Sequence, residues 1–354
     1  MRYIELFAGV GGFRLGITRA IDYRPTSQAW GSQSVQENSA DTSGEDGDRR
    51  EHCSLCVFSN EWDAQAAKIY RKNFGEGLDT RDLATIPTSE IPNHELLVGG
   101  FPCQPFSHSG RGGGFNDTRG TLFFEIARIL NDKRPRHLML ENVKGLLTHD
   151  SGKTFQRILG VLADLGYRVE WQVLNSTNFG VPQNRDRIFI IGHLGEKCRG
   201  QIFPLPKNDK SGVEAIRTEE GGEATNTLTT RSASGTNARG TYIVREATST
   251  GFAVAEEGDS INLSVPNSKT RRGRVGKGVA NTLDTGVNQA VVHKNTMRRL
   301  TPIECERLQG FPDNWTQGVS DSQRYKQMGN AVTVNVIQAI IESMIDHDHS
   351  ANSH

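Results

Sequence analysis

The chain has 354 residues, 35% of them hydrophobic, and its 41 Lys and Arg are balanced by 41 Asp and Glu. That length allows one large domain plus a smaller one, and zero net charge excludes a chain that grips nucleic acid by overall basicity, so any such contact must come from local patches. Five cysteines, Cys53, Cys56, Cys103, Cys198 and Cys305, are too sparse and odd in number for a disulfide framework and point to a reduced, cytosolic setting. No apolar run is long enough to span a membrane, and the N-terminus runs into a strand without a signal peptide.

Arg2–Phe7 reads as the first strand, followed by Ala8-Gly9-Val10-Gly11-Gly12-Phe13-Arg14-Leu15-Gly16 and a helix to about Ile21. A glycine-rich turn between strand and helix lets a ligand approach the backbone near a helix N-terminus. The nicotinamide-dinucleotide fingerprint fails here, because Arg14 stands where its last glycine is required. Residues from about 24 to 52 are polar and without periodicity, as expected of a loosely ordered insertion. Cys53 and Cys56 form one C-x-x-C pair, half of a zinc site without a matching second pair, and no metal is expected. A second strand, Cys56–Ser59, ends at Asn60-Glu61-Trp62-Asp63. A carboxylate there suits ribose hydroxyls, whereas Asp63 alone suffices to cap the helix expected over 63–73. Asp82, before Leu83, reads by itself as a surface cap.

The chain then turns on Gly99-Gly100-Phe101-Pro102-Cys103-Gln104-Pro105-Phe106-Ser107, entered from the buried strand Glu95–Val98. Cys103 therefore sits at a strand end, where an α/β sheet places its chemistry, between two prolines that stiffen the backbone. An inert buried thiol needs no such setting, and Cys103 is read as a nucleophile. The loop 107–120 carries Arg111, Arg119 and three successive glycines. A helix follows over 121–130, and His137–Val143 is a strand with Glu141 inside an apolar run, costly unless paired or functional. After a helix over 154–165 and a strand over 167–174, Gln183-Asn184-Arg185-Asp186-Arg187 leads into the strand 188–192; on extended backbone Arg185 and Arg187 project to one face.

From about His193 to Asn295 the sequence is polar and rich in Thr, Ser, Gly and Asn, as expected of a small β-rich module. It contains an echo, Asn226-Thr227-Leu228-Thr229-Thr230 and Asn281-Thr282-Leu283-Asp284-Thr285, and the densest basic run, Lys269–Lys277, which suits phosphate contact or a solvated loop. Thr301-Pro302 starts a helix that Gly310 stops, with Cys305 packed inside it. A last helix follows Gly329-Asn330-Ala331-Val332 to about Ile345, and 347–354 reads as a frayed tail.

The stretch around Cys103 resembles motif IV of the DNA cytosine-C5 methyltransferases. The resemblance runs from Tyr3 to about Ile337, with gaps at about 24–55 and 198–295. The turn at Gly9 is similar to motif I, His137–Val143 to motif VI, Gln183–Arg187 to motif VIII, the helix at Thr301 to motif IX and Tyr325–Val332 to motif X. It implies an α/β fold, with a Rossmann-like S-adenosylmethionine-dependent sheet in 1–193 (insertion at 24–55) completed by 322–346. It also implies a smaller β-rich target-recognition domain in 194–321, which takes in the supporting helix 301–310. The implied reaction is methyl transfer from S-adenosyl-L-methionine to C5 of a flipped cytosine through a Cys103–C6 adduct, with Glu141 at N3 and Arg185 at O2. The cofactor would meet Phe7, Ala8, Gly9, Gly11, Gly12, Glu61, Trp62, Asp82, Leu83, Phe101, Leu122, Asn330 and Ala331. DNA or the base would meet Ser107, Arg119, Arg187, Arg271, Arg272 and Arg274. The implied partners are double-stranded DNA and a cognate restriction endonuclease, with the enzyme acting as a cytoplasmic monomer. An RNA cytosine methyltransferase and an inactive DNA-binding relative are the alternatives. The long interval before motif IX favours DNA, and intact Cys103, Glu141 and Arg185 oppose inactivity.

Overall fold

The structure is a computed structural model, described for residues 1–22, 55–102, 122–195, 202–205, 236–237, 241–265, 270, 272–286 and 288–352. Cys103, Ser107, Arg119 and Arg271, the insertion and the first copy of the echo lie outside these residues.

The N-terminal half alternates strand and helix. In chain order it runs β1 (Arg2–Leu6), α1 (Gly12–Asp22), β2 (Leu55–Asn60), α2 (Ala64–Phe74), β3 (Leu78–Asp79), β4 (Leu96–Gly100), α3 (Leu122–Lys133), β5 (His137–Val143), α4 (Lys153–Asp164), β6 (Tyr167–Asn175), β7 (Gln183–Asn184) and β8 (Asp186–Leu194). Seven of these strands form one sheet in the order β3-β2-β1-β4-β5-β8-β6. The first five are parallel; β8 inserts antiparallel between β5 and β6. The period-two alternation of β4 assigns its faces: Leu97 enters a core with α3 and α4, while Leu96 and Val98 enter a core with α1 and the C-terminal helix. Burial on both faces explains why β4 and β5 read as continuous apolar runs.

Residues 236–299 contribute short strands: β9 (Thr236–Asn237), β10 (Thr241–Arg245), β11 (Phe252–Ala255), β12 (Ser260–Asn262), β13 (Val275–Gly276), β14 (Ala280–Asn281), β15 (Gln289–His293) and β16 (Thr296–Arg299). They form a three-stranded and a four-stranded sheet, and β14 pairs with β7. Helices α5 (Pro302–Leu308), α6 (Asp321–Asn330) and α7 (Val334–Asn352) close the chain. Thr301 caps α5 through a reciprocal box with Glu304, whose carboxylate also binds the Arg298 guanidinium at 2.7 Å and so ties α5 to β16. Cys305 is buried in the core that joins α5 to the glycine turn.

One sequence expectation changes. The helix does not fray at 347 but continues to Asn352. The helical stretch 321–347 reaches the length and mean hydropathy of a membrane span; 56% of its apolar window is buried, as in a core helix packed on α1.

Candidate active site

The C-terminal ends of β1, β2, β4 and β5 open into one cleft of about 700 Å³, closed on the far side by the end of α6 and residues 331–332. Strand ends of a parallel sheet gather there because helices cover both faces, leaving one end for ligands.

One half is built around the glycine turn. Phe7, Gly9 and Gly11 have φ of 54°, 55° and 87°, which turn the chain sharply from β1 into α1. Glu61, at the end of β2, is 8% exposed. Its Oε2 accepts the Gly9 N–H at 2.8 Å and its Oε1 the Asp63 N–H at 2.7 Å. Burial pushes its pKa up against these bonds. Each oxygen keeps a lone pair for a ligand hydroxyl. Beside it the Trp62 ring is 71% exposed on the cleft wall, a flat platform for an aromatic base. Asp82 caps the short helical turn beginning at Leu83, accepting from Ala84 N, and also borders the cleft. Phe7, Ala8, Gly12, Leu83, Phe101, Leu122, Asn330 and Ala331 line it as well. Gly11 does not: a Cβ there would overlap the Phe74 ring, so Gly11 faces α2. The site borrows its conformation and not its surface.

The other half is built on β5 and β8. Their register sets Val143 opposite Arg187, which leaves Glu141 diagonal to Arg187 on the same face. Arg187 Nε lies 3.0 Å from Glu141 Oε1. Glu141 is 8% exposed; burial raises its pKa, opposed by Arg187 and Arg185. A Cβ on Gly100 would sit 3.1 Å from Glu141 Oε2, a tight contact that would press on the carboxylate. Asn142 donates to the Phe101 carbonyl at 2.7 Å and fixes the backbone just before Pro102. Pro102 lines the cleft, and Cys103 is the next residue.

Arg185 is a correction. Its guanidinium is 1% exposed and donates to three carbonyls: Leu283 at 3.1 Å, Gly329 at 2.9 Å and Ala331 at 2.7 Å. Burial and the neighbouring Arg187 push its pKa down to about 9. It borders the cleft, and its Nη1 and Nη2 brace the segment at Leu283 and the segment after α6 against the sheet, while its Nε is buried without a hydrogen-bond partner among the described residues.

Arg274 is a second correction. It is 2% exposed, with Nε on the Asn262 carbonyl and Nη1 on the Arg245 carbonyl, an internal strut with no reach to a phosphate. Arg272 stays exposed, with Nε on the Ala247 carbonyl at 2.7 Å. Sequence reasoning passed over Asn60, Asp63, Asn142 and Lys326, which also line the cleft. Asn142 was within reach, since it adjoins Glu141. Lys326, whose Nζ meets Asp63 at 2.8 Å across 263 residues, carried no local signal. Among the described residues no cluster of three or more His, Cys, Asp or Glu could hold a metal.

The model of the C-5 cytosine-specific DNA methylase family matches residues 1–346. The chain belongs to that family. It is 40% identical over 349 residues to the Type II methyltransferase M.SsoII of Shigella sonnei, covering 97% of this chain and 80% of that one. It is 37% identical over 348 residues to M.DsaV of Dactylococcopsis salina, covering 98% and 86%. It is 35% identical over 351 residues to M.HpaII of Haemophilus parainfluenzae, covering 97% and 89%. Among solved structures, the S. pombe Dnmt2 methyltransferase superposes with a TM-score of 0.62 at 18% identity over 98% of both chains. A putative DNA modification methyltransferase from an E. coli prophage gives 0.60 at 18% over 99% of both. Those two likenesses bear on the fold alone. The family settles the substrate as DNA cytosine and the methyl donor as S-adenosyl-L-methionine, and the donor set fits that molecule: a carboxylate for ribose, an aromatic platform and a glycine turn.

Proposed function

We propose that this protein is the sequence-specific methyltransferase of a Type II restriction-modification pair, acting in the cytoplasm as a monomer on double-stranded DNA. The reading is supported by its Type II relatives. A cognate endonuclease cutting the same sequence is its expected partner.

The observation that carries the chemistry is the buried Glu141–Arg187 pair beside the backbone that leads into Cys103. Cytosine C5 is a poor nucleophile. The Cys103 thiolate bonds to C6 as the C5–C6 double bond opens, and the displaced electron pair is delocalised through the ring towards N3. Glu141 donates a proton to N3 and leaves C5 enamine-like, and burial, which raises its pKa, favours the protonated form. Arg187 keeps donors beyond its bonds to Glu141 and to the Asp186 carbonyl, and these suit O2, so the contact first assigned to Arg185 passes to Arg187. Bound at Glu61 and Trp62, S-adenosyl-L-methionine supplies an electrophilic methyl group. Transfer of the C5 proton to a water base, expulsion of the Cys103 sulfur as thiolate and return of the N3 proton to Glu141 restore the ring. The base must leave the stack, at a cost of roughly a few kcal/mol. The interval that held the basic run and the echo, within 194–321, is assigned to reading the sequence.

Expression in a host without cytosine methylation, followed by conversion sequencing, tests this. Protected cytosines within one recurring short sequence are expected, and none with Cys103→Ala. A fully active Cys103→Ala chain would refute the covalent route.

A further inference from the structure

The segment 311–319, between α5 and α6, takes no part in the chemistry above, yet it is tied down at almost every residue. Lys72 of α2 donates to the carbonyls of Asn314 and Gln317, both at 3.0 Å. Lys68 donates to Gly318 and Asn73 to Trp315. On the other side, Glu306 of α5, fully buried, accepts the Thr316 N–H at 2.8 Å and its hydroxyl, and pairs with Arg324. Two elements from opposite ends of the chain thus hold this strap, and the recognition-side helix α5 is one of them.

At its centre the Trp315 indole donates to the Val10 carbonyl at 2.9 Å. Val10 lies inside the glycine turn, between the two glycines with positive φ. Its side chain is 2% exposed and packs in the core that contains Leu300, Leu308, Phe311 and Met328. The Trp315 ring meets Phe74 edge-on at 5.4 Å and Phe311 at 5.5 Å. Phe74 is the ring that occupies the space beside Gly11. Trp315 therefore fixes two consecutive residues of the turn, Val10 by a hydrogen bond and Gly11 through Phe74.

We propose that Trp315 is a positioning residue for S-adenosylmethionine: its indole N–H and ring hold the glycine turn in the conformation that lines the cleft, and the strap anchors that turn to the helix supporting the recognition side. A turn built from glycines has more unfolded and alternative conformations to lose than any other. A ligand that needs one of them binds more weakly when its population falls. Deleting one hydrogen bond at the turn shifts the equilibrium between its conformations by the worth of the bond, roughly 0.5–1.5 kcal/mol, and so weakens binding by up to about 10-fold.

The proposal rests on the cofactor reading of the cleft. The test is calorimetric titration of the full chain and of Trp315→Phe with S-adenosylhomocysteine, beside the melting temperature of each and their binding to DNA without cofactor. Phenylalanine keeps an aromatic ring but removes the N–H together with one ring of the indole, and the melting temperatures report that loss of packing separately. Binding of S-adenosylhomocysteine weaker by up to about 10-fold is expected, with KM for S-adenosylmethionine raised in parallel and kcat at saturation and DNA binding unchanged. Equal affinity in the two chains, or a lowered melting temperature with unchanged affinity, would overturn it and leave Trp315 as core packing. Failure of the unsubstituted chain to bind S-adenosylhomocysteine would overturn it together with the cofactor reading, and so is distinguishable.

Discussion

The sheet and the module of short strands both bury charge, and they use it in opposite ways. At the strand ends, Glu61 and Glu141 are buried but border the cleft, and burial raises the pKa of each. In the module of short strands, Glu246 and Arg274 are equally buried but turned wholly inward. Glu246 accepts three successive backbone N–H groups, from Gly273 at 3.0 Å, Arg274 at 2.6 Å and Val275 at 3.1 Å. The difference follows from what each region can bury. The sheet has two large apolar cores and can afford carboxylates held ready for a ligand. The module's own core is small, grouping Val244, Ala255, Ile261, Ala290 and Val292, so its side chains must satisfy the backbone of its loops directly.

The sharpest way to break the comparison is at Glu141. If its charge is held for chemistry, Glu141→Gln removes the proton donor at N3 while keeping shape and fold. A loss of about 10²- to 10⁴-fold in kcat is expected, with S-adenosylhomocysteine affinity within a factor of two or so of the parent. Near-normal turnover would place this carboxyl among the structural ones.

Glu246→Gln makes the converse case. The amide keeps one acceptor oxygen and presents an NH₂ to a backbone N–H, leaving a buried group unsatisfied. A stability loss of about 1–3 kcal/mol is expected, read by denaturant unfolding, with weaker DNA binding and cofactor affinity retained. Unchanged stability would mean that solvent reaches those amides and that the charge is not structural.

How much of this was legible depended on distance along the chain. The glycine turn, Glu61 and the Glu141-Asn142 strand end are short local patterns, and each lies on the cleft. Arg185 and Arg187 look alike in sequence, two apart and bordering the same cleft. Only the β5–β8 register and the carbonyls of Leu283, Gly329 and Ala331, 98 to 146 residues away, separate a partner of Glu141 from a brace. Arg274 fails for the same reason: a basic run reads as a surface, and nothing local announces that one of its members points into the module. Trp315 lies 305 residues from the carbonyl it serves.

A third test concerns Glu5, a charge that belongs to neither class. It is fully buried on β1, accepting the Tyr70 hydroxyl at 2.9 Å and the Arg14 N–H in the first turn of α1 at 3.3 Å, so it underpins the glycine turn without reaching the cleft. Burial lifts its pKa from the usual 4.5 to about 7, against the bonds from Tyr70 and Arg14. Among its neighbours, Cys56 is pushed up to about 11 and Tyr3 and Tyr70 higher still, so none of them titrates in that window. Between about pH 4.5 and pH 7 the folded chain holds a proton at Glu5 that the unfolded chain has released. Stability from this group is therefore fully present below the lower value and is lost as pH rises through the upper one. The difference in melting temperature between the parent and Glu5→Gln, which cannot titrate, should move against the parent as pH is raised from about 5 to about 8. Parallel curves would mean that Glu5 ionises normally in the fold, and that the carboxylates under the turn obey the inward rule of the short-strand module after all.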